Sequence, residues 1–343
     1  MAERTTLSDI AQVAGVSRSA TARVLLGTGG DHVRVSLATR DRILEAARSL
    51  GYSPNRSAQQ LRGKASRTLG VILDTINTPV MSERLFALER EANIHGYRLF
   101  VGHTHGQPEA LQEYVADFGS RGVEAIFCLF DLTADRDARA RQCFGPFKKV
   151  VFHGRPAWPG GYCVRVDTRA GIRAGVEHLI ARGRKRLALA ISNSANDELM
   201  TLRMEVFEES IAAHKSRVKG FVWDADFQNI TPSADVLNQG VEYLRGECRA
   251  DALISSSDVW ATRFILQLQK SGLRVPQDVA VIGYDNLDIA KVISPALTTI
   301  DQRHETYAKS AIELLLSVAR EKSIPPRKRI VTITPELVIR ESS

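Results

Sequence analysis

From Thr68 onward, short apolar runs rich in β-branched residues (LGVIL, YRLFVG, AIFCLF, KVVFHG, RLALAI, FVWDA, DALIS and VAVIGY) alternate with stretches of helical period over 81–94, 109–118, 170–181, 199–213, 233–244 and 259–270. Strands that alternate with helices pair in parallel, because each crossover needs a segment that carries the chain back over the sheet face. Eight such strands suit two similar α/β lobes better than one sheet. A chain of 343 residues exceeds one ordinary core, which leaves room for a small unit ahead of the lobes.

That leading unit carries the charge. Residues 1–67 hold 11 Lys or Arg against 5 Asp or Glu, and the rest of the chain holds 35 against 34, so nearly all of the net +7 lies in the first fifth. Neutralising phosphates releases condensed counterions, so such a concentration is the footprint of a nucleic-acid-binding head; a solvated basic face gives the same count. The pattern of residues 6–26 separates the two. Thr6-Leu7-Ser8-Asp9 reads as a capping box, and Leu7, Ile10, Ala11 and Ala14 then form one apolar helical face. Gly15-Val16-Ser17 supplies a residue free to take positive φ, an apolar plug and an N-cap, and a second short helix turns Thr21, Val24 and Leu25 inward. A third helix starts from Ser36, buries Ile43, Ala47 and Leu50, and ends at Gly51. Two helices joined by so tight a turn form a helix-turn-helix, which presents the N-terminal side chains of its second helix to a DNA major groove.

The segments TLSDIAQVAGVSRSATARVLLG, TRDRILEAARSLGYSPNRSAQQLRGKASRTLGVIL, EHLIARGRKRLALA, GLRVPQDVAVIGYDN, ALTTI and PELVIRES resemble the lactose-repressor (LacI/GalR) family of bacterial regulators over essentially the whole chain. The resemblance implies an α/β two-lobed periplasmic-binding-protein-like core, with parallel sheets flanked by helices, and an all-α N-terminal helix-turn-helix head. It divides the chain into a head over 1–54, a hinge helix and linker over 55–67, and an effector-binding and dimerisation core over 68–343. The lobes are expected at about 68–166 with 298–328 and about 167–297 with 329–343, so that the chain crosses between them near 166, 297 and 328. The implied function is a sequence-specific transcription repressor that binds a pseudo-palindromic double-stranded DNA operator as a homodimer. Control is expected from a small effector, a sugar or sugar derivative.

By resemblance, Arg18 and Ser19 stand where the family's operator-reading pair stands, Arg23 where a further base or phosphate contact stands, and Leu61 where a leucine wedges into the central minor groove. Thr6, Ser8 and Ser17 in the head, with Asn55, Arg56, Ala58 and Gln59 in the hinge, complete the expected DNA-binding set. The roles are physically apt: Arg donates in bidentate fashion to guanine, and an inserted apolar side chain unstacks a base step and kinks the duplex. A plain linker is the other reading of 55–63. Ala20, Thr21 and Ala22 replace the more usual Thr-Val-Ser, which removes hydroxyls that touch phosphate. The loop GTGGDHVRVSLA is longer than usual and either adds a backbone contact through Arg34 or is a floppy insertion.

Ligands of open α/β sheets bind beyond the carboxyl ends of strands, which points to Asp131 after AIFCLF, Ser257 and Asp258 after DALISS, and Asp285 after VAVIGY. By resemblance, Asp285 and Arg203 match the family's effector-binding aspartate and arginine, and Asp167, Phe227 and Gln302 match cleft-lining positions, Phe227 as a stacking surface; Asn77 is a further candidate. Arg and carboxylate groups both bond bidentately to vicinal hydroxyls. Ser257 stands where Asn is usual and Leu199 where a polar residue is common, so the effector's identity stays open, as does the choice between inducer and corepressor.

Other classes of function find no residues to carry them. The sequence holds no GxGxxG, Walker loop, GxSxG or HExxH, so no enzyme is expected. His103 and His105 in GHTHG have no third ligand in sight, and no metal or cofactor is expected. Cys128, Cys143, Cys163 and Cys248 lack CxxC spacing and read as buried thiols. Arg327-Lys328-Arg329 reads as a solvated basic stretch before a strand. No apolar run approaches the roughly 18 residues of a membrane span, and MAERTTLSDIAQ has no secretory signal, so a cytoplasmic location is expected. The closing PELVIRESS carries no tetramerising heptads, so a dimer is expected. A transporter's solute-binding protein shares the core fold but has a signal peptide and no basic head.

Overall fold

The computed structural model describes residues 5–27, 34–52, 65–74, 78–130, 134–145, 147–192, 197–225, 233–246 and 248–343. Contacts divide the chain into two compact units that meet in sequence at Ser66 and Arg67.

The head contains α1 (Leu7–Ala14), α2 (Arg18–Leu26) and α3 (Leu37–Ser49). Thr6 caps α1 reciprocally with Asp9: the Asp9 N–H donates to the Thr6 hydroxyl, and the Asp9 carboxylate accepts the Thr6 N–H at 2.7 Å. The chain leaves α1 through Gly15 at φ 64°, which lets the Val16 N–H reach the Ala11 carbonyl at 3.0 Å. Ser17 then caps α2, its hydroxyl accepting the Ala20 N–H at 3.1 Å. Ile10, Ala14, Ile43, Ala46 and Ala47 form the small core. Thr21 is buried against it and donates its hydroxyl to the Ser17 carbonyl, which removes the cost of hiding a polar group. Val24 and Leu25 are partly buried and pack against this core as expected, and Leu26, next along α2, is buried as well.

The core is two six-stranded sheets. The first runs β11 (Ile330–Ile333), β5 (Tyr162–Val166), β4 (Val150–His153), β3 (Ile126–Leu129), β1 (Thr68–Leu73), β2 (Arg98–His103), all parallel. The second runs β12 (Glu336–Val338), β10 (Thr298–Asp301), β9 (Ala280–Tyr284), β8 (Ala252–Ser255), β6 (Arg186–Ser192), β7 (Lys219–Ala225), parallel except for β12. Helices α4 (Pro79–Ile94), α5 (Pro108–Ser120), α6 (Ala134–Phe144) and α12 (His304–Ala319) belong with the first sheet, and α7 (Thr168–Ala181), α8 (Glu198–Ala213), α9 (Ala234–Arg245), α10 (Asp258–Lys270) and the short α11 (Ile289–Val292) with the second. Apolar side chains fill both faces of each sheet, as parallel sheets require. All eight expected strands are present, and β5, β10, β11 and β12 are additional.

The lobe boundaries differ from expectation. β10 pairs with β9 and so belongs to the second lobe, while β11 pairs with β5 and belongs to the first. The crossings expected near 297 and 328 therefore fall between 301 and 304 and between 333 and 336, because strand partnership rather than local pattern decides the sheet. All four cysteines are buried as free thiols. Among the described residues no helix is long and apolar enough to cross a membrane.

One buried carboxyl ties the second lobe together. Asp258 accepts the Leu287 N–H at 2.7 Å and the Thr299 hydroxyl at 2.5 Å, linking α10 to the loop after β9 and to β10. Gly283 leaves room for it, since a Cβ there would collide with the Asp258 carboxyl and approach Leu297 to 2.8 Å. Burial, aided by the nearby Asp285 charge, pushes the pKa of Asp258 up to about 8.

Two outcomes follow from these contacts. Gly15→Ala should destabilise the head by about 1–2 kcal/mol in calorimetry, a purely conformational cost because an added Cβ would meet nothing within 4 Å. For Asp258, the folded state holds a proton that the unfolded state releases, so its stabilising contribution is present at low pH and fades as pH rises toward 8. Urea unfolding of the wild type should therefore weaken between about pH 6.5 and 8, and Asp258→Asn should show a shallower slope in that window.

Candidate functional site

The chain turns from β1 to β2 on one side and to β3 on the other, and repeats this at β6, β7 and β8, so each sheet has a switch point where the carboxyl ends of strands open a crevice. Buried polar side chains gather at those ends. Arg84, on the inward side of α4 and only 3% exposed, donates from Nη1 to His153 Nε2 at 3.1 Å and from Nη2 to Gln302 Oε1 at 2.5 Å. The Gln302 amide in turn donates to Asp285 Oδ1 at 2.5 Å. A continuous chain of hydrogen bonds thus runs from α4 of the first lobe, through the crossover after β10, to the end of β9 in the second.

Each neighbour of this chain is held by a second contact. Because Arg84 can only donate, His153 must accept at Nε2 and carry its proton on Nδ1, which faces Tyr307 Oη at 2.6 Å. Burial and the Arg84 charge keep the pKa of His153 well below its ordinary value, so the ring is neutral. The Arg84 guanidinium lies over the Tyr307 ring at 5.0 Å. Asp285 and Asn286 adopt φ of 112° and 56°, a left-handed backbone that side chains resist. The turn is secured by the Asp285 N–H on the Ile300 carbonyl at 2.9 Å, by His304 Nε2 with the Asp285 carbonyl at 3.1 Å, and by Asp258 on Leu287. Burial raises the pKa of Asp285 to about 6 against the opposing pull of Arg203, Gln302 and Arg84. Burial and Arg84 lower that of His304 to about 4.

Arg203, on α8, completes the cluster from the second lobe. It is 4% exposed, donates to the Ser256 carbonyl at 2.6 Å and stacks on the Tyr284 ring at 3.9 Å. Among the described residues, buried Arg84 Nε, Arg203 Nε and His304 Nδ1 find no hydrogen-bond partner. Native interiors leave few such atoms, and their convergence on one region marks where a polar molecule would be received.

The structure brings Arg203, Asp285 and Gln302 together. It gives three other expected effector residues different immediate tasks. Asp258 directs both carboxyl oxygens inward, Ser257 caps α10 through the Trp260 N–H at 3.3 Å, and Asp167 caps α7 through the Ala170 N–H at 3.0 Å. Asn77, Asp131 and Phe227 lie outside the described residues. Arg84, His153 and Tyr307 are additions that sequence reasoning missed. A lone cation on the inward stripe of α4, with Met81, Leu85 and Leu88, and a histidine at the carboxyl end of KVVFHG were the available signals. His103 and His105 stack at 3.7 Å, and among the described residues no three potential ligands group around a metal position.

On the head, Thr6, Ser8, Ser17, Arg18 and Ser19 are exposed and Arg23 is half-buried. Arg18 and Ser19 open α2 just after its Ser17 cap, at the helix end whose dipole favours phosphate. The hinge candidates Asn55, Arg56, Ala58, Gln59 and Leu61 lie outside the described residues.

Comparison with known proteins agrees with both units. Residues 6–55 match the bacterial regulatory proteins of the lacI family, and residues 176–343 match a periplasmic binding protein-like domain. The HTH-type transcriptional repressor PurR of Photobacterium profundum is 28% identical over 340 residues, covering 98% of each chain. The lac repressor dimer bound to operator and the anti-inducer ONPF shares the fold with a TM-score of 0.83 at 24% identity, covering 99% of both chains. The transcriptional regulator CelR in complex with cellobiose shares it at 0.67 and 24%, covering 99% of this chain and 100% of that one. With both units matched and similarity along the whole chain, the protein belongs to the LacI/GalR family of helix-turn-helix transcriptional regulators, DNA-binding proteins rather than enzymes.

Proposed function

We propose that the protein is a repressor that binds a pseudo-palindromic operator as a homodimer in the cytoplasm and whose operator affinity is set by a sugar or sugar derivative bound between the two lobes of its core. The observation that carries this reading is the union, in one chain, of a basic helix-turn-helix exposing Arg18 and Ser19 with a core whose buried polar groups converge at the carboxyl ends of two sheets. Arg203 and Asp285 provide the cation and carboxylate that vicinal hydroxyls bond well, and cellobiose in CelR is a ligand of that chemistry. The homodimer is supported by apolar surface on the first lobe: Phe86 and Ile94 of α4 and Phe100 and Val101 of the edge strand β2 are exposed, and an apolar sheet edge left open invites pairing.

In this mechanism two heads sit about one helical turn apart on the operator, and the hinge segments enter the minor groove at its centre, with Leu61 as the wedge. Effector binding changes the relation of the lobes and hence the hinge, with a coupling on the usual scale of roughly 1–3 kcal/mol.

Selection of sites from random duplex DNA tests the reading: an inverted repeat with a steep salt slope is expected, and absence of enrichment with and without added sugars contradicts it. On the selected site, Leu61→Ala should bind more weakly and bend the duplex less; parental affinity and bend would remove the wedge. Arg203→Ala should lose the rise in unfolding temperature that a bound sugar gives the wild type.

A further inference from the structure

Two buried guanidinium groups, one from each lobe, face the same region, and among the described residues no carboxylate is hydrogen-bonded to either. The partners of Arg84 are a neutral imidazole, a neutral amide and an aromatic face, and those of Arg203 are a backbone carbonyl and an aromatic face. Each leaves a buried Nε without a partner. Asp285 is the one carboxylate among the described residues that reaches this chain, and it does so through Gln302. The other acids nearby direct oxygens to neutral donors rather than to either guanidinium: Asp74 accepts from the Thr104 hydroxyl at 2.8 Å, Asp167 caps α7, and Asp301 accepts from the Asn286 amide and the Arg303 N–H. Asp258 is turned inward and, with its pKa pushed up to about 8, carries little charge near neutral pH. His153 and His304 are held neutral and add no charge. Among the described residues the two guanidinium groups therefore have one carboxylate joined to their chain of hydrogen bonds and one unfilled donor each, in surroundings where an uncompensated buried charge is costly.

We propose that the effector is an anionic polyol, a polyhydroxylated molecule bearing one oxyanion group, with Arg84 of the first lobe receiving the oxyanion while Arg203 and Asp285 of the second hold hydroxyls. This rests on the reading of the interlobe site as a sugar site and narrows its ligand class. His153 and Gln302 keep the guanidinium of Arg84 oriented, so little rotamer freedom is lost when the anion arrives. A carboxylate, as in a sugar acid, and a phosphate ester, as in a sugar phosphate, both meet the requirement.

The test uses the full chain as wild type, Arg84→Leu and the charge-preserving Arg84→Lys. Thermal unfolding of the core is compared in inorganic phosphate and in chloride at equal ionic strength, and then with D-glucose, D-gluconate and D-glucose 6-phosphate. Phosphate should raise the wild-type midpoint most, that of Arg84→Lys less, and that of Arg84→Leu only by the general stabilisation that excluded phosphate gives any folded chain; that general effect and phosphate bound at the head cancel because all three chains share them. Among the sugar probes, the wild type should favour an anionic member over D-glucose by roughly tenfold or more, and which one it favours separates carboxylate from phosphate ester. The proposal is overturned if phosphate and chloride act alike on the wild type, if Arg84→Leu responds to phosphate as the wild type does, or if D-glucose binds as tightly as both anionic probes. Should Arg84→Leu fail to fold, the wild type and Arg84→Lys still decide. Enrichment of an inverted repeat without a phosphate response removes this inference alone. A phosphate response lost with Arg84 but no enrichment of DNA removes the regulator reading and leaves the anion site.

Discussion

The run of hydrogen bonds from Arg84 through Gln302 to Asp285 is the interaction on which the rest of the core depends. It is a buried polar bridge between lobes that have separate hydrophobic cores, and it places a cation of one lobe and a carboxylate of the other under the control of one amide. Removing a guanidinium from water costs on the order of several kcal/mol unless its donors find acceptors. The fold supplies two of those acceptors and leaves Arg84 Nε without one. The bridge is thus complete enough to hold the lobes in one relation and incomplete enough to be improved by a ligand, which is what a two-state element needs.

The surrounding scaffold shows why such a site sits here. The turn at Asp285 and Asn286 has a backbone that ordinary side chains avoid, and it persists because Asp258, Thr299, His304 and the Ile300 carbonyl all hold it. Gly283 gives Asp258 the space to do so. Strain of this kind is tolerated where the neighbours over-determine the conformation, and the result is a carboxylate whose position does not wander. Buried Asp258 thereby serves the site from behind. Its carboxyl sets where Asp285 stands without facing the space between the lobes.

Much of this was legible in the sequence, and the parts that were not share a cause. The eight strands, the capping box at Thr6, the turn at Gly15 and the α/β character of the core all follow from local pattern, since cap chemistry and hydrophobic period act over a few residues. The placement of β10 and β11 does not, because each strand is four residues long and its own pattern does not say which strand it joins: β10 pairs with β9, the strand just before it, and β11 with β5, far back in the sequence. The rule of strand carboxyl ends named Ser257, Asp258 and Asp285 together, yet only the fold shows that Asp258 and Ser257 spend their side chains on a turn and a helix cap. Arg84 is hidden for the opposite reason: a charged residue on an apolar helical stripe looks like an interruption until the amide and imidazole that receive it are seen.

The account as a whole claims that the relation between the lobes, held by this polar bridge, sets the affinity of the head for DNA. The most direct measurement is the dissociation constant for one two-fold DNA site, at fixed salt and without effector, for the wild type and for Gln302→Leu, which severs the bridge inside the core while leaving the head's sequence untouched. The account predicts that the two differ by at least about fivefold, the lower end of ordinary allosteric coupling. Equal affinities, with both proteins folded, would show that the bridge does not reach the DNA and would contradict it.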